Sequence, residues 1–130
     1  MIKSFLPSFL AVLFFLNCMK EEVPVLCHLY GWVKDEADST TGINNFVLQI
    51  KDINPYTLQS LRIRETTTRT DDSTYGFFEM DSVCYGTTNQ QGTGYVTIFA
   101  DSIKNPGWES RYWSPRIVGD IDTIILYILR

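Results

Sequence analysis

Residues 46–52, with the sequence FVLQIKD, alternate between apolar and mostly polar side chains. Successive side chains of a β-strand point to opposite faces of the sheet. Phe46, Leu48 and Ile50 therefore share one face of an extended chain, whereas the positions between them face the other way. This period of two predicts a strand with one buried face and one face in water.

Six other segments are rich in Val, Ile, Tyr, Phe and Trp and are bounded by clusters of Gly, Pro, Asn, Asp and Ser. Such runs and boundaries are typical of strands and turns, and no long window has a convincing helical period. The seven predicted strands cover residues 25–34, 46–52, 60–67, 75–84, 95–102, 109–113 and 121–129. An all-β chain with seven strands is typical of a β-sandwich.

Two of these strands carry further expectations. Leu61 and Ile63 alternate with Arg62 and Arg64 in the third strand, and we interpret the arginines as its solvated face. Residues 124–129 are apolar at every position, which is typical of a strand covered on both faces. We therefore expect the last strand in the middle of a sheet, the alternative being contact with another chain.

The composition indicates one globular domain. The chain has 130 residues, of which 45% are hydrophobic and 20% are charged, and this is enough to build a single core. The formal net charge of −4 argues against nucleic-acid binding, because phosphate contacts need a stripe of Lys and Arg. The nearest approach to such a stripe, at Arg62, Arg64 and Arg69, is interleaved with acidic residues.

The N-terminal segment has the layout of a bacterial lipoprotein signal. Lys3 precedes an apolar run at residues 5–16, which is shorter than the roughly 20 residues of a membrane-spanning helix. Asn17 and then Cys18 follow the run, and Cys18 stands where such signals carry the acylated cysteine. We expect a signal peptide at 1–17, a short tether at 18–24 and the domain at 25–130.

This layout predicts an exported protein of the bacterial cell envelope, anchored in a membrane by an N-terminal lipid on Cys18 and facing the periplasm or the cell surface. The alternative is an ordinary secretory signal in which the cysteine is incidental. Export would also place Cys27 and Cys84 in an oxidising compartment. They either form a disulfide, which would stabilise the fold by about 3 to 4 kcal/mol, or remain as buried free thiols.

Four segments carry a family resemblance: YGWVKD at 30–35, NFVLQI at 45–50, TDDSTYGFFEM at 70–80 and the closing strand at 121–129. They are similar to the motifs of the carboxypeptidase regulatory-like domain, a transthyretin-like (prealbumin-like) β-sandwich. The resemblance implies a Greek-key arrangement of the seven strands. It also implies an accessory module of peptidases, receptors or cell-surface proteins that supports folding, spacing or contact without catalysis of its own.

Two glycines within these segments have a physical role in the expected fold. Gly31 lets the first strand bend or approach a neighbour closely, and Gly76 opens its strand where a Cβ would crowd the adjacent turn. Phe77 or Phe78 should then fill the space between the sheets.

The sequence offers little catalytic chemistry. His28 is the single histidine, and a core or edge position is the favoured interpretation over a metal site, which needs several ligands. Acidic residues cluster near predicted turns at 35–38 and 71–72, where solvated side chains are favoured over a calcium site. We expect no catalytic residues, no metal and no cofactor.

The aromatic group Trp108, Tyr112 and Trp113, beside Arg111, is the candidate binding surface. Alternation would put Trp108 and Tyr112 on one face of the strand and Trp113 on the other. The favoured hypothesis is a non-catalytic envelope module with a structural role or a role in contact with another envelope protein. The alternative is a surface lipoprotein that binds a glycan or peptide through this aromatic region.

Overall fold

The alternation at 46–52 buries Phe46, Leu48 and Ile50, each no more than 1% exposed, as predicted. The computed structural model describes residues 21–90 and 95–130. Its regular elements are all β-strands, and they form two four-stranded sheets that pack face to face around one core. Within these residues no helix is long and apolar enough to cross a bilayer. The predicted signal peptide at 1–17 and Cys18 lie outside the described residues.

The described residues form eight strands, and seven of them correspond to the predicted segments. Their bounds are β1 Pro24–Asp35, β2 Val47–Ile53, β3 Leu61–Thr67, β4 Arg69–Asp71, β5 Thr74–Thr87, β6 Thr97–Ala100, β7 Arg111–Trp113 and β8 Ile121–Ile128. The predicted count was one short because β4 has only three residues and an unpatterned sequence. Asp72 and Ser73 adopt positive φ angles of 46° and 65° and turn β4 back onto β5.

The first sheet has the strand order β4-β5-β1-β8, and the second has the order β3-β2-β6-β7. Several spatial neighbours are not consecutive in the chain, so the connections cross between the sheets. Strand β1 pairs antiparallel with β5 and parallel with β8. The core fills the space between the sheets, with Leu29, Val33, Phe78 and Ile98 among its fully buried members.

The last strand is not central, contrary to the expectation from its apolar sequence. Strand β8 pairs with β1 on one side only and forms the edge of the first sheet. Leu126 and Ile128 are buried, whereas Ile121, Ile125 and Tyr127 are exposed. A run that is apolar on both faces therefore lies at an open edge, which is a position that natural sheets usually protect.

The buried and exposed faces of strand β3 are exchanged relative to the prediction. Leu61 and Ile63 face water, and Arg62 and Arg64 point inward at the end of the sandwich. The reason is the fully buried carboxylate of Asp52, since a buried charge needs opposite charge and hydrogen-bond donors. The alternation was recognised correctly, but its buried side was assigned wrongly.

The two glycines perform their expected roles. A Cβ on Gly31 would lie 2.4 Å from the Phe78 ring, so the missing side chain makes room for the phenylalanine that fills the core. Gly76 has φ of +84°, and a Cβ there would lie 2.4 Å from the carbonyl oxygen of Val33. Phe78 is the residue between the sheets, whereas Phe77 lies on the outer face of its sheet.

Most of the connections gather at two ends of the sandwich, whereas the connection at 114–120 begins beside β8. The entry end comprises Val23, the turn at 54–60, the turn at 88–90 and Tyr95. Val23 and Thr88 exchange backbone and hydroxyl hydrogen bonds of 2.9 and 3.3 Å there. The far end comprises the connections at 36–46, 72–73 and 101–110.

Candidate interaction surface

The outer face of the first sheet carries a row of aromatic side chains. His28, Tyr30 and Trp32 occupy alternate positions of β1, and Phe77 is the cross-strand partner of Trp32 on β5. The ring centroids are 4.5 Å apart for His28 and Tyr30, 6.1 Å for Tyr30 and Phe77, and 5.6 Å for Trp32 and Phe77. Aromatic pairs at these separations stabilise one another beyond simple burial. The row is therefore a rigid feature of the sheet.

Charged groups border this row on the β4 and β5 side. The guanidinium of Arg69 lies 5.0 Å from the centroid of the Phe77 ring and donates a 2.7 Å hydrogen bond to Glu79. His28 Nε2 lies 3.0 Å from the other carboxylate oxygen of Glu79. Arg69 first, and His28 second, hold the pKa of Glu79 below its ordinary value, because both favour the ionised carboxylate.

His28 is thus not a core residue. It is half-buried on the outer face of the sheet, and its partner is a carboxylate. Among the described residues no group of three or more His, Cys, Asp or Glu side chains is arranged to hold a metal ion. The acidic turn at 35–38 serves its own backbone, since Asp35 accepts a hydrogen bond from the Ala37 N–H and Asp38 accepts one from the Thr40 N–H.

The aromatic row continues onto the open edge strand. Ile121, Thr123 and Ile125 of β8 are the register partners of His28, Tyr30 and Trp32, so their side chains share the same outer face. Ile121 and Ile125 are both exposed. The surface therefore extends from the aromatic side chains of β1 to the last strand of the sheet.

The backbone of β8 is open along part of its outer edge. The carbonyl group of Asp120 accepts a hydrogen bond from the N–H of His28 in β1, and that of Ile128 accepts one from the N–H of Glu36, the residue after β1. The even-numbered residues of β8 therefore form its inner edge. The odd-numbered residues then direct their N–H and C=O groups outward. The carbonyl of Tyr127 accepts from Arg111, and that of Leu129 from the N–H of Glu109.

The stretch Ile121–Ile125 lacks such cover over most of its outer backbone. The Thr123 N–H is an exception, since it donates to the carboxylate of Asp122 at 2.8 Å. Beside this stretch runs a shallow groove of about 480 Å³, with Ile124, Ile125 and Leu126 on one wall and residues 113–116 on the other. An extended polypeptide can therefore lie along β8 with alternate side chains directed into the groove.

The predicted aromatic platform around Trp108 is not assembled as expected. The Trp108 ring packs edge-on against Phe46 with centroids 6.2 Å apart, and Arg130 lies 4.6 Å from its centroid. Trp113 also packs against the core. Tyr112, which is 75% exposed, faces the solvent instead, and its ring lies 5.7 Å from that of Phe99.

The faces were assigned wrongly because β7 begins only at Arg111, so strand alternation does not extend back to Trp108. Arg111 itself is engaged, since its guanidinium pairs with Glu36 at 2.9 Å, with Glu109, and with the carbonyl of Tyr127. Glu36 first and Glu109 second hold the pKa of Arg111 above its ordinary value.

Cys27 and Cys84 are both buried, and each carries a free thiol in this structure. Cys27 belongs to the core, and the sulfur of Cys84 lies 3.3 Å from the carbonyl oxygen of Gly86. Burial is the main cause that raises the pKa of both thiols, because it disfavours the charged thiolate. Neither thiol has the electropositive, exposed surroundings of a reactive cysteine.

The aromatic row was visible in the sequence as HLYGWV at 28–33, where aromatic side chains alternate with Leu, Gly and Val. Leu29, Gly31 and Val33 point inward, so the aromatic side chains between them lie on the face opposite the core. The signal that would have found this surface is therefore the outer face of the strand. Comparison of the chain with protein-family models, with curated proteins and with solved structures gives no match.

Proposed function

We propose that this chain is an exported bacterial lipoprotein whose mature part is a non-catalytic, transthyretin-like module that binds another protein of the cell envelope. Lipid attached to Cys18 anchors the module to a membrane, and the partner contributes an extended segment that lies along the open edge of β8. The observation that carries this proposal is the edge position of an apolar strand whose outer backbone is largely uncovered at Ile121–Ile125.

The chemistry of this edge favours a protein partner. Backbone N–H and C=O groups that alternate along a strand are complemented in geometry and spacing by another extended backbone. A sugar has no matching ladder of donors and acceptors. Apolar side chains of the partner can enter the groove beside Leu126, and others can contact the outer face next to Trp32.

The aromatic row supports the same function, because Tyr, Trp and Arg side chains supply most of the binding energy in protein interfaces. Tyr30 and Trp32 are held by their neighbours in the sheet, so they lose little conformational entropy when a partner covers them. Arg69 and Glu79 at the border can contribute polar contacts at the rim.

The arrangement of the strands supports membership of the carboxypeptidase regulatory-like, transthyretin-like group with a Greek-key topology. The four segments of the resemblance lie on β1, on β2, on the β4–β5 hairpin and on β8. The close approaches at Gly31 and Gly76 are of the kind that the resemblance implies. Connections that cross between the sheets are typical of Greek-key sandwiches.

The alternative of a glycan- or peptide-binding surface at Trp108–Trp113 has less support. Two exposed, coplanar rings would favour it, whereas Trp108 and Trp113 both contact the core. Tyr112 is the exposed ring of this region. A single tyrosine beside Phe99 offers a small platform compared with the row on the first sheet.

The partner-binding role is tested by Ile125→Lys, with Ile63→Lys as the matched control. Both isoleucines lie on edge strands and are 47% and 55% exposed, so both variants should fold. We expect the native chain and the Ile63→Lys variant to elute from a size-exclusion column, after mild detergent extraction of envelopes, in a complex with a second protein. Ile125→Lys should elute alone, because a lysine on an edge strand opposes the addition of a further strand.

Elution of the native chain as a monomer, or equal complex formation by both variants, contradicts the proposed binding edge. A complex that contains only this chain would assign the edge to a second copy. The anchor has its own test: growth with an alkyne-bearing fatty acid should label the native chain and leave Cys18→Ala unlabelled. Labelling of both chains, or of neither, contradicts lipidation at Cys18.

A further inference from the structure

The two ends of the sandwich differ in chemistry. At the entry end, the turn at 54–60 and the described residues 86–90 and 95–96 contain no charged residue. At the far end, the corresponding connections at 36–46, 72–73 and 101–110 carry acidic or basic residues, including Glu36, Asp72 and Lys104. Connections on a protein surface are usually rich in charge, so the absence of charge from these two connections needs a physical explanation. Glu22 is a charged side chain that lies beside them.

The entry end also exposes apolar and aromatic side chains. Tyr56, at the tip of its turn, is 90% exposed, and Val23, Leu61 and Tyr95 are exposed as well. Leu58, Leu61 and Tyr95 surround one small hollow together with Glu22, which shows that these residues belong to the same end of the molecule. Tyrosine is the residue type that concentrates at the boundary between lipid and water, since its ring is apolar and its hydroxyl is polar.

The chain enters the domain at this same end. Five residue steps separate Cys18 from Val23, and a fully extended chain covers at most about 3.6 Å per residue, or about 18 Å in all. Strand β1 has 12 residues, so the far end lies roughly 35 Å further along the sandwich at about 3.3 Å per residue. A lipid on Cys18 can therefore hold the entry end near the membrane while the far end stays in water.

We propose that the entry end of the sandwich rests on the lipid bilayer, with Tyr56 and Tyr95 in the headgroup region. This inference depends on the lipid anchor proposed above. A lipid surface fits this end because uncharged turns lose little hydration energy when they approach the headgroups, whereas exposed tyrosine rings gain from leaving water. The charged far end then points away from the membrane. The edge of β8, on the side of the sandwich, faces along the membrane.

The orientation also explains how a partner could reach the proposed binding edge. Strand β8 starts at the level of His28, four residues further into the sandwich than the start of β1 at Pro24. The open stretch Ile121–Ile125 is thereby set back from the entry end by roughly 13 Å at about 3.3 Å per residue. A protein segment can lie along it without displacing lipid.

The test uses the full chain, purified from bacterial membranes with its native N-terminus and reconstituted into phosphatidylcholine vesicles that contain a lipid with a nitroxide on its headgroup. A fluorophore is attached to an introduced cysteine at Gln59→Cys or at Ser102→Cys. Both positions are exposed and polar and lie in connections, one at the entry end and one at the far end. Cys27 and Cys84 are buried, so the introduced thiol is labelled selectively.

We expect the vesicles to carry both variants on flotation and the nitroxide to quench the label at position 59 several-fold more than the label at position 102. Replacing both Tyr56→Ser and Tyr95→Ser in the Gln59→Cys chain should reduce that difference, while the protein still floats. Equal quenching at the two positions in floating vesicles overturns the orientation and leaves the anchor intact. Failure to float refutes the lipid anchor, and the orientation with it.

Discussion

Asp52 and Arg62 face each other across the β2–β3 hairpin and form a two-point ion pair. Arg62 Nε donates to Asp52 Oδ1 at 2.8 Å, and Arg62 Nη2 donates to Oδ2 at 3.0 Å. The Cys84 N–H also donates to Oδ2 at 2.8 Å, and Arg64 approaches the same oxygen at 3.5 Å. A single buried carboxylate therefore links the second sheet to β5 of the first.

Replacing Asp52 with Asn should destabilise the protein by about 3 kcal/mol, because it leaves two inward-pointing arginines without their counter-charge. The matched control is Asp81→Asn, since Asp81 also meets Arg64 at 3.5 Å but its side chain is 76% exposed. The control should cost less than about 0.5 kcal/mol. Urea unfolding followed by circular dichroism measures both, and similar losses for the two variants would contradict a special role for the buried carboxylate.

This ion pair also shows what the sequence could and could not predict. The period of two in β3 was readable from Leu61 to Arg64, and so was the strand itself. The direction of its side chains was not, because it depends on Asp52, a residue on another strand that is buried. Hydrophobicity alone assigned Ile63 to the buried face of β3, whereas electrostatic pairing in the folded chain turned the partly buried Arg64 to that side instead.

Gly76→Ala should destabilise the protein more than Gly107→Ala. Both glycines have positive φ, +84° and +90°, so either alanine meets a backbone penalty of about 1 to 2 kcal/mol. At Gly107 the new Cβ meets no atom within 4 Å, whereas at Gly76 it lies 2.4 Å from the Val33 carbonyl oxygen. The clash should add about 1 to 3 kcal/mol. Thermal unfolding compares the two, and equal losses would show that the β1–β5 approach is looser than the structure indicates.

The stability contributed by Glu79 should depend on pH. Its pKa in the folded chain is lowered below the ordinary value of 4.5, by Arg69 first and His28 second. A lowered pKa means that this stabilisation is present above pH 4.5 and is lost as the pH falls through the folded-state pKa. Glu79→Gln should therefore be less stable than the native chain at neutral pH and approach it in acid.

Unfolding in urea at pH 7, 4.5 and 3 measures this difference between the two chains. Glu65 and Asp81 line the same hollow as His28 and Glu79 and are present in both proteins, so their effect cancels to first order. Arg69→Gln should raise the Glu79 pKa, as observed by NMR of the side-chain carboxyl carbon. A pH-independent difference between the native chain and Glu79→Gln would refute the ion-pair account.

The thiols of Cys27 and Cys84 should react slowly with maleimide in the native protein at pH 8, because burial both raises their pKa and blocks access. Two thiols per chain should become reactive in urea without a reductant. A count of zero in urea would establish the disulfide. An additional thiol that reacts at once in the native state would identify Cys18 as unmodified.

The position of β8 was the largest error of sequence reasoning, and its cause is physical. An apolar run predicts cover on both faces when a strand is central, but an edge that awaits a partner has the same composition. Residues 124–129 do not distinguish these cases, because the number of neighbouring strands depends on the chain connections between sheets. The same ambiguity hid the aromatic row, whose inner neighbours Leu29 and Val33 are equally apolar.

Hydrogen exchange along β8 should alternate from residue to residue in the chain without its partner. The N–H groups of Ile124 and Leu126 point toward β1 and should be protected, whereas those of Ile121 and Ile125 point outward and should exchange orders of magnitude faster. The N–H of Thr123, which donates to Asp122, should fall between these groups. Amide exchange by NMR resolves the five sites, and the inner amides serve as the internal control.

Addition of the envelope partner should slow the exchange of the Ile121 and Ile125 amides while leaving that of Leu126 unchanged, because a docked strand supplies acceptors only to the outer edge. Uniform protection of all five amides before any partner is added would mean that the edge is already paired, and the proposed binding role of β8 would then have to be abandoned.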